Sequence, residues 1–234
     1  MLRRFRGPAV LRGLRPSSRL GAPFWPSGLT LRSSGLAFSQ PLTLAVSHSG
    51  EIALVLPFFK YHPDPLATGS IIESNTKCVC CGRSQGFIYS GPVYGEDDYD
   101  DCICPWCIAD GSAHKQLGAS FTDEDCVGGG GEWSPVSHEV VDEVANRTPG
   151  FSGWQQERWW THCGDAASFL GRAGKAELSA LGPEAIQAVQ DSTGLANGHE
   201  WDAFFEALDK DGSPTAYVFR CRACGAIGGY QDCD

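Results

Sequence analysis

The chain has 234 residues, 42% of them hydrophobic, seven tryptophans and a formal charge of −10. That length suits one sizeable domain or two small ones, and that hydrophobic share excludes a wholly disordered chain. The eleven cysteines suit a disulfide framework only in a secreted context, and the longest apolar run, residues 52–59, contains a proline and is far too short to span a membrane.

Residues 1–50 carry seven arginines and no acid; the first carboxylate is Glu51. Three readings compete for them: an Arg-rich organellar transit segment, a disordered basic arm, or an extension upstream of a translation start further in. The third is favoured, because nothing in the segment carries a folding pattern. The opening Leu2-Arg3-Arg4-Phe5-Arg6 is basic, but Arg12, Arg15 and Pro16 interrupt any apolar stretch after it, so no export signal is expected. The expectation is therefore a soluble cytoplasmic protein with reduced thiols, divided into residues 1–50 and a zinc-binding domain over residues 51–234. Taking the seven arginines from the 18 basic residues leaves 11 against 28 acids beyond residue 50, a net of about −17. A body of that charge repels a phosphate backbone and disfavours nucleic acid as partner.

Residues 56–65, Leu56-Pro57-Phe58-Phe59-Lys60-Tyr61-His62-Pro63-Asp64-Pro65, suit an extended segment over a core. Residues 87–94 alternate as a strand or hairpin broken at Gly91-Pro92, and residues 97–101 read as a short acidic loop. Pro105 stands at the first position of a helix that residues 108–117 can continue, with Gly111 as its weak point. The glycine run 128–131 reads as a flexible connector. A helix is expected from Ser134-Pro135, with Val136, Val140, Val141 and Val144 on its apolar face and a stop at Thr148-Pro149-Gly150. After the aromatic cluster Phe151, Trp154, Trp159 and Trp160, Asp165 is placed as the cap of a short helix through Ala167, Phe169 and Leu170. Residues 183–189 and 200–208 read as amphipathic helices, the second aligning Trp201, Phe204, Phe205 and Leu208. Residues 215–219 and 226–230 read as strands entering and leaving a cysteine turn. The class is α+β: small treble-clef and zinc-ribbon-like cysteine modules with short hairpins, plus several amphipathic helices.

Three Cys-x-x-Cys pairs carry the chemistry: Cys78/Cys81, Cys104/Cys107 and Cys221/Cys224. Two residues between thiols is the spacing at which a tight turn aims both sulfurs at one ion, and four such ligands close a tetrahedral Zn²⁺ site. The first two pairs are separated by 22 residues and complete one site, with Cys104 and Cys107 at a helix start that favours thiolate. Cys80 and Cys102 are read as packing residues beside it. The third pair needs partners, and Cys163 is the best of them. A matching Cys-x-x-Cys there would require cysteine where Ala166 stands. His162 is the nearest other fourth ligand, though adjacent residues rarely both reach one ion; Cys126 and His199 remain open.

Redox use is the rival reading, since Cys104-Pro105-Trp106-Cys107 has the form of a thiol–disulfide motif at a helix start. No hydrophobic strand precedes it, only Asp97, Asp98, Tyr99, Asp100 and Asp101. His62, His114, His138 and His199 are scattered and read as surface or core residues. The acids at 96–101 and 123–125 read as solvated loops, Trp154, Trp159 and Trp160 as core. Gly128–Gly131 lacks the lysine and the strand–helix context of a phosphate-binding loop.

The segments at 56–65, Cys104-Pro105-Trp106-Cys107-Ile108-Ala109-Asp110-Gly111, Thr148-Pro149-Gly150-Phe151-Ser152-Gly153-Trp154-Gln155-Gln156-Glu157 and Trp160-Thr161-His162-Cys163, with the Cys221/Cys224 ending, together resemble the CbrC family. The resemblance runs from about Leu56 to the C-terminus. It implies a bacterial protein linked by name to colicin tolerance, and it supplies no catalytic residue. The combined expectation is a non-enzymatic protein with two structural zinc ions and an unidentified protein partner.

Overall fold

The computed structural model describes residues 55–234 and the backbone of two short strands before them, β1 (Leu44–Val46) and β2 (Ile52–Leu54), paired antiparallel. The three readings of residues 1–50 otherwise lie outside the described residues. The architecture of the described residues is mixed α+β, built from small antiparallel sheets and six α-helices.

Residues from Phe59 to Phe121 make a first core around the leading cysteines. The strands β3 (Ile71–Glu73) and β4 (Phe87–Tyr89) pair antiparallel and are followed by helices α1 (Pro105–Ala109) and α2 (Ser112–Leu117). Gly111, left-handed at φ 73°, separates the two helices. These elements are a few residues each, too short to persist without tertiary support.

The larger part is organised by a three-stranded meander, β7 (Ser168–Ala173), β8 (Thr215–Arg220) and β9 (Ile227–Asp232), in that spatial order. Central β8 is paired on both edges, and alternation sends its side chains to two buried faces. Tyr217 and Phe219 join Tyr61, Phe151, Trp159, Phe169 and Tyr230 in an aromatic core, against which helix α3 (His138–Arg147) packs Val144. Ala216 and Val218 face the other way, onto the helices α4 (Lys175–Leu181), α5 (Pro183–Thr193) and α6 (His199–Ala207). All three helices lie in the connection between β7 and β8.

Several expectations are corrected. The segment after Asp165 is not a helix: it forms β6 (Asp165–Ala166) and β7, because Phe169 pairs with Phe219 of β8 and the sheet overrides the local pattern. Helix α3 begins at His138 rather than at Ser134-Pro135, leaving Val136 outside it. Helix α4 was not expected; it is set by a bond from the Gly174 amide to Glu177 Oε2 at 3.0 Å. The glycine run is a tethered turn, its Gly128 amide donating to the Trp159 carbonyl at 2.9 Å. Trp159 is core, but Trp154 is 44% exposed. No helix among the described residues is long and apolar enough to cross a membrane.

Candidate metal centres

Cys78 and Cys81 sit on a turn after β3. The Gly82 amide donates to the Cys78 carbonyl at 2.7 Å, and the Cys78 amide donates to the Arg83 carbonyl at 2.9 Å. That reversal needs a left-handed residue after the second cysteine, and Gly82 supplies it at φ 70°. The other pair comes from α1, with Cys104 as its N-cap and Pro105 at its first position. The bond from the Val79 amide to the Cys102 carbonyl, 2.8 Å, ties the turn to the strand-like approach to α1.

These four ligand sulfurs lie within 4.8 Å of one another. Cys78 Sγ is 3.8 Å from Cys107 Sγ, and Cys81 Sγ is 3.8 Å from Cys104 Sγ. Zinc–sulfur bonds of about 2.3 Å in a tetrahedron put sulfurs about 3.8 Å apart. Cys78, Cys104 and Cys107 are buried. The sulfur contacts of Cys104 and Cys107, with the amides of Cys104 and Cys81, hold Cys78 well below the usual thiol range against its burial. Cys107 lowers Cys104, but Cys78 and burial outweigh that and push it up to about 12. A bound cation would favour thiolate at all four. Cys80 contacts Ser112 Oγ at 3.6 Å and Cys102 donates to the Tyr99 carbonyl at 3.0 Å, both outside the group.

The second group forms where two turns meet. β5 (Thr161–His162) and β6 are joined by the two residues Cys163 and Gly164. Both have positive φ, 54° and 74°, as a tight type I′ hairpin turn requires. That conformation turns the Cys163 side chain back beside its neighbour, so that its sulfur lies 3.2 Å from His162 Nδ1. The adjacent residues thus converge, against the expectation that neighbours rarely do. Cys221 and Cys224 lie on the β8–β9 turn, where the Gly225 amide donates to the Cys221 carbonyl at 2.9 Å. Cys224 Sγ is 3.5 Å from His162 Nδ1, and all four ligand atoms lie within 4.8 Å. Mixed zinc–sulfur and zinc–nitrogen bonds predict about 3.5 Å for such a pair. Burial works against the Cys221 thiolate, but the Cys224 and Ala223 amides and His162 stabilise it, bringing the thiol down to about 6. Cys126 and His199 stand outside both groups.

The His162 ring is stacked on Trp160, with centroids 5.1 Å apart and planes 10° apart. Trp160 in turn lies against Gly228 of β9, where a Cβ would overlap the indole. Sequence reading missed this support, whose one trace is a glycine inside a strand pattern. Gly228→Ala is expected to displace Trp160, cost about 1–3 kcal/mol of stability and release metal from the second group while the first keeps its own. Thermal unfolding and metal titration of the variant check this.

The two groups differ in access. Cys163 and Cys224 are exposed, whereas the first group is largely enclosed. All eight residues singled out from the sequence therefore fall into two sets of four, each able to hold a metal ion. The redox reading of Cys104 meets an obstacle: that thiol is 1% exposed and shifted upward, opposite to a reactive cysteine.

A small α+β chain with two four-donor Cys/His groups is thus the class that the fold and site define. The model of an uncharacterised protein family, UPF0167, matches residues 56–233, and the chain belongs to that family. It is 45% identical over 185 residues to the UPF0167 protein Mb2317 of Mycobacterium bovis, covering 76% of this chain and 93% of the relative. The UPF0167 protein MT2352 of Mycobacterium tuberculosis matches equally. The UPF0167 protein PA1536 of Pseudomonas aeruginosa is 43% identical over 172 residues, covering 73% of this chain and 93% of that relative. No solved structure matches the chain. The resemblance to the CbrC family is corrected by these matches: the family is UPF0167, its relatives carry that name, and none supports the link to colicin tolerance.

Proposed function

We propose that the chain is a structural-zinc protein, with Cys78, Cys81, Cys104 and Cys107 holding one Zn²⁺ and His162, Cys163, Cys221 and Cys224 a second. The observation that carries this reading is the spacing of the donors: sulfurs 3.8 Å apart in the first group, and sulfur to imidazole nitrogen 3.2–3.5 Å in the second. Soft thiolates with one imidazole at tetrahedral spacing select zinc over the oxygen-seeking cations. Each group supplies four protein ligands, so a bound ion keeps no open position for substrate, which favours a structural role.

The first group has the parts of a treble clef, a cysteine turn followed by a strand and a helix N-terminus. The second has those of a zinc ribbon, two turns facing each other. Residues 51–234 then act as one zinc-stabilised unit in a reducing cytoplasm, working through contact with another protein. The acidic surplus of that portion disfavours nucleic acid.

Elemental analysis of protein purified without chelator or polyhistidine tag is the test. Two zinc ions per chain are expected, falling to one in Cys224→Ser. Metal-free protein with fast-reacting thiols would overturn the reading.

A further inference from the structure

His62 belongs to neither metal group, yet it is fully buried and both ring nitrogens are engaged. Nδ1 lies 2.7 Å from the Pro149 carbonyl oxygen. A carbonyl can only accept, so Nδ1 carries the proton and Nε2 is a free acceptor. Nε2 faces Thr68 Oγ1 at 2.7 Å, while the competing acceptors for that hydroxyl, the Pro65 carbonyl and Ser70 Oγ, are 3.2 and 3.4 Å away. Phe169 meets the imidazole edge-on, centroids 5.1 Å apart, and Trp159 does so at 6.5 Å, fixing its plane. Thr68 is held by its own turn, its amide donating to the Asp64 carbonyl at 3.3 Å. Thr68 also lines a cavity of about 220 Å³ with Ser70, Ser90, Ser152 and Arg172. A threonine that merely braces a turn needs a partner but has no need of a cavity beside it. Carbonyl, imidazole, hydroxyl and cavity in that order are the parts of an activated hydroxyl nucleophile.

We propose that Thr68 and His62 form an acyl-transfer site for a small activated carboxylic ester. Thr68 Oγ1 attacks the carbonyl carbon and its proton passes to His62 Nε2. The bond to the leaving alcohol breaks, that oxygen takes the proton from Nε2, and the acyl group stays as an ester on Thr68. Water, deprotonated by the same nitrogen, then cleaves the ester to the free acid and restores the hydroxyl. Ser70 Oγ, 3.4 Å from Thr68 Oγ1, is placed to donate to the developing oxyanion. Arg172 on the cavity wall, 3.6 Å from Asp211 Oδ1, favours a substrate whose negative charge exchanges for that carboxylate. Burial lowers His62 to about 4, leaving the imidazole in its proton-accepting form at neutral pH, while the Pro149 carbonyl and the Asp64 carboxylate support the transient cation.

The test is incubation of the full metal-loaded chain with p-nitrophenyl acetate, followed by peptide mass mapping. One acetyl group is expected on the peptide carrying Thr68, with a burst of nitrophenol. Thr68→Val, which keeps the shape and removes the hydroxyl, should lose the label and about a hundredfold of turnover; Thr68→Ser should keep both. Wild-type protein without acetyl at Thr68, or a valine variant of unchanged turnover and normal metal content, overturns the proposal.

Discussion

Replacing Cys107 with serine is expected to empty the first metal group and to unfold the module built on it. A structural zinc contributes on the order of 10 kcal/mol to folding. The elements around this group are short, two three-residue strands and helices of five and six residues, and their core is built around its cysteines. Three sulfurs would remain, those of Cys78 and Cys104 buried, facing one another without the ion that lets them share a site. Zinc content should fall from two to one per chain. Hydrogen exchange should quicken by several orders of magnitude across Ile71–Glu73, Phe87–Tyr89 and both helices, while Thr215–Arg220 keeps its protection. Cys102→Ser, which removes a sulfur outside the group, should leave both readouts unchanged. Retention of two metal ions and full protection in Cys107→Ser would mean that packing alone holds the module.

Acid is expected to weaken the fold through His62. Burial lowers this imidazole from 6.5 to about 4 in the folded state. Between those values the unfolded chain binds the proton and the folded one does not, so stability is complete above about pH 6.5 and is lost as pH falls toward 4. A shift of that size corresponds to on the order of 3 kcal/mol. Metal release also occurs in acid, so the informative quantity is the difference between the wild type and His62→Gln. The variant should be less stable at pH 7, and the gap should narrow steadily as pH is lowered to 5. A gap that stays constant over that range would show that His62 does not titrate there.

The features legible in the sequence are those set by local spacing. Cys78 and Cys81, like Cys221 and Cys224, are each brought together by one turn with glycine after it, and the turn is written in the four residues and that glycine. Helix α6 was legible from Trp201, Phe204 and Phe205 on one face, and central β8 from its apolar run. What stayed hidden depends on contacts distant in the chain. The residues after Asp165 have a helical pattern and become strand only because β8 lies beside them. The meeting of His162 and Cys163 requires a cysteine in the left-handed region, which no residue type announces. Thr68 and His62 are near neighbours, but the Pro149 carbonyl that fixes the imidazole tautomer is 87 residues away.

The second metal group joins positions 62 residues apart in the chain, and α4, α5 and α6 lie between them. An ion there would act as a clasp at the neck of a loop. Its contribution to stability would come largely from restricting the unfolded chain, and the cost of closing such a loop rises by only about 0.6 kcal/mol for each doubling of its length. Relatives could therefore lengthen, shorten or redecorate the helical segment at small energetic cost while the clasp and the sheet stay in register. Variation in this family is thus expected to collect inside the loop, and the helices it encloses are the natural place for one member to differ from the next in what it touches.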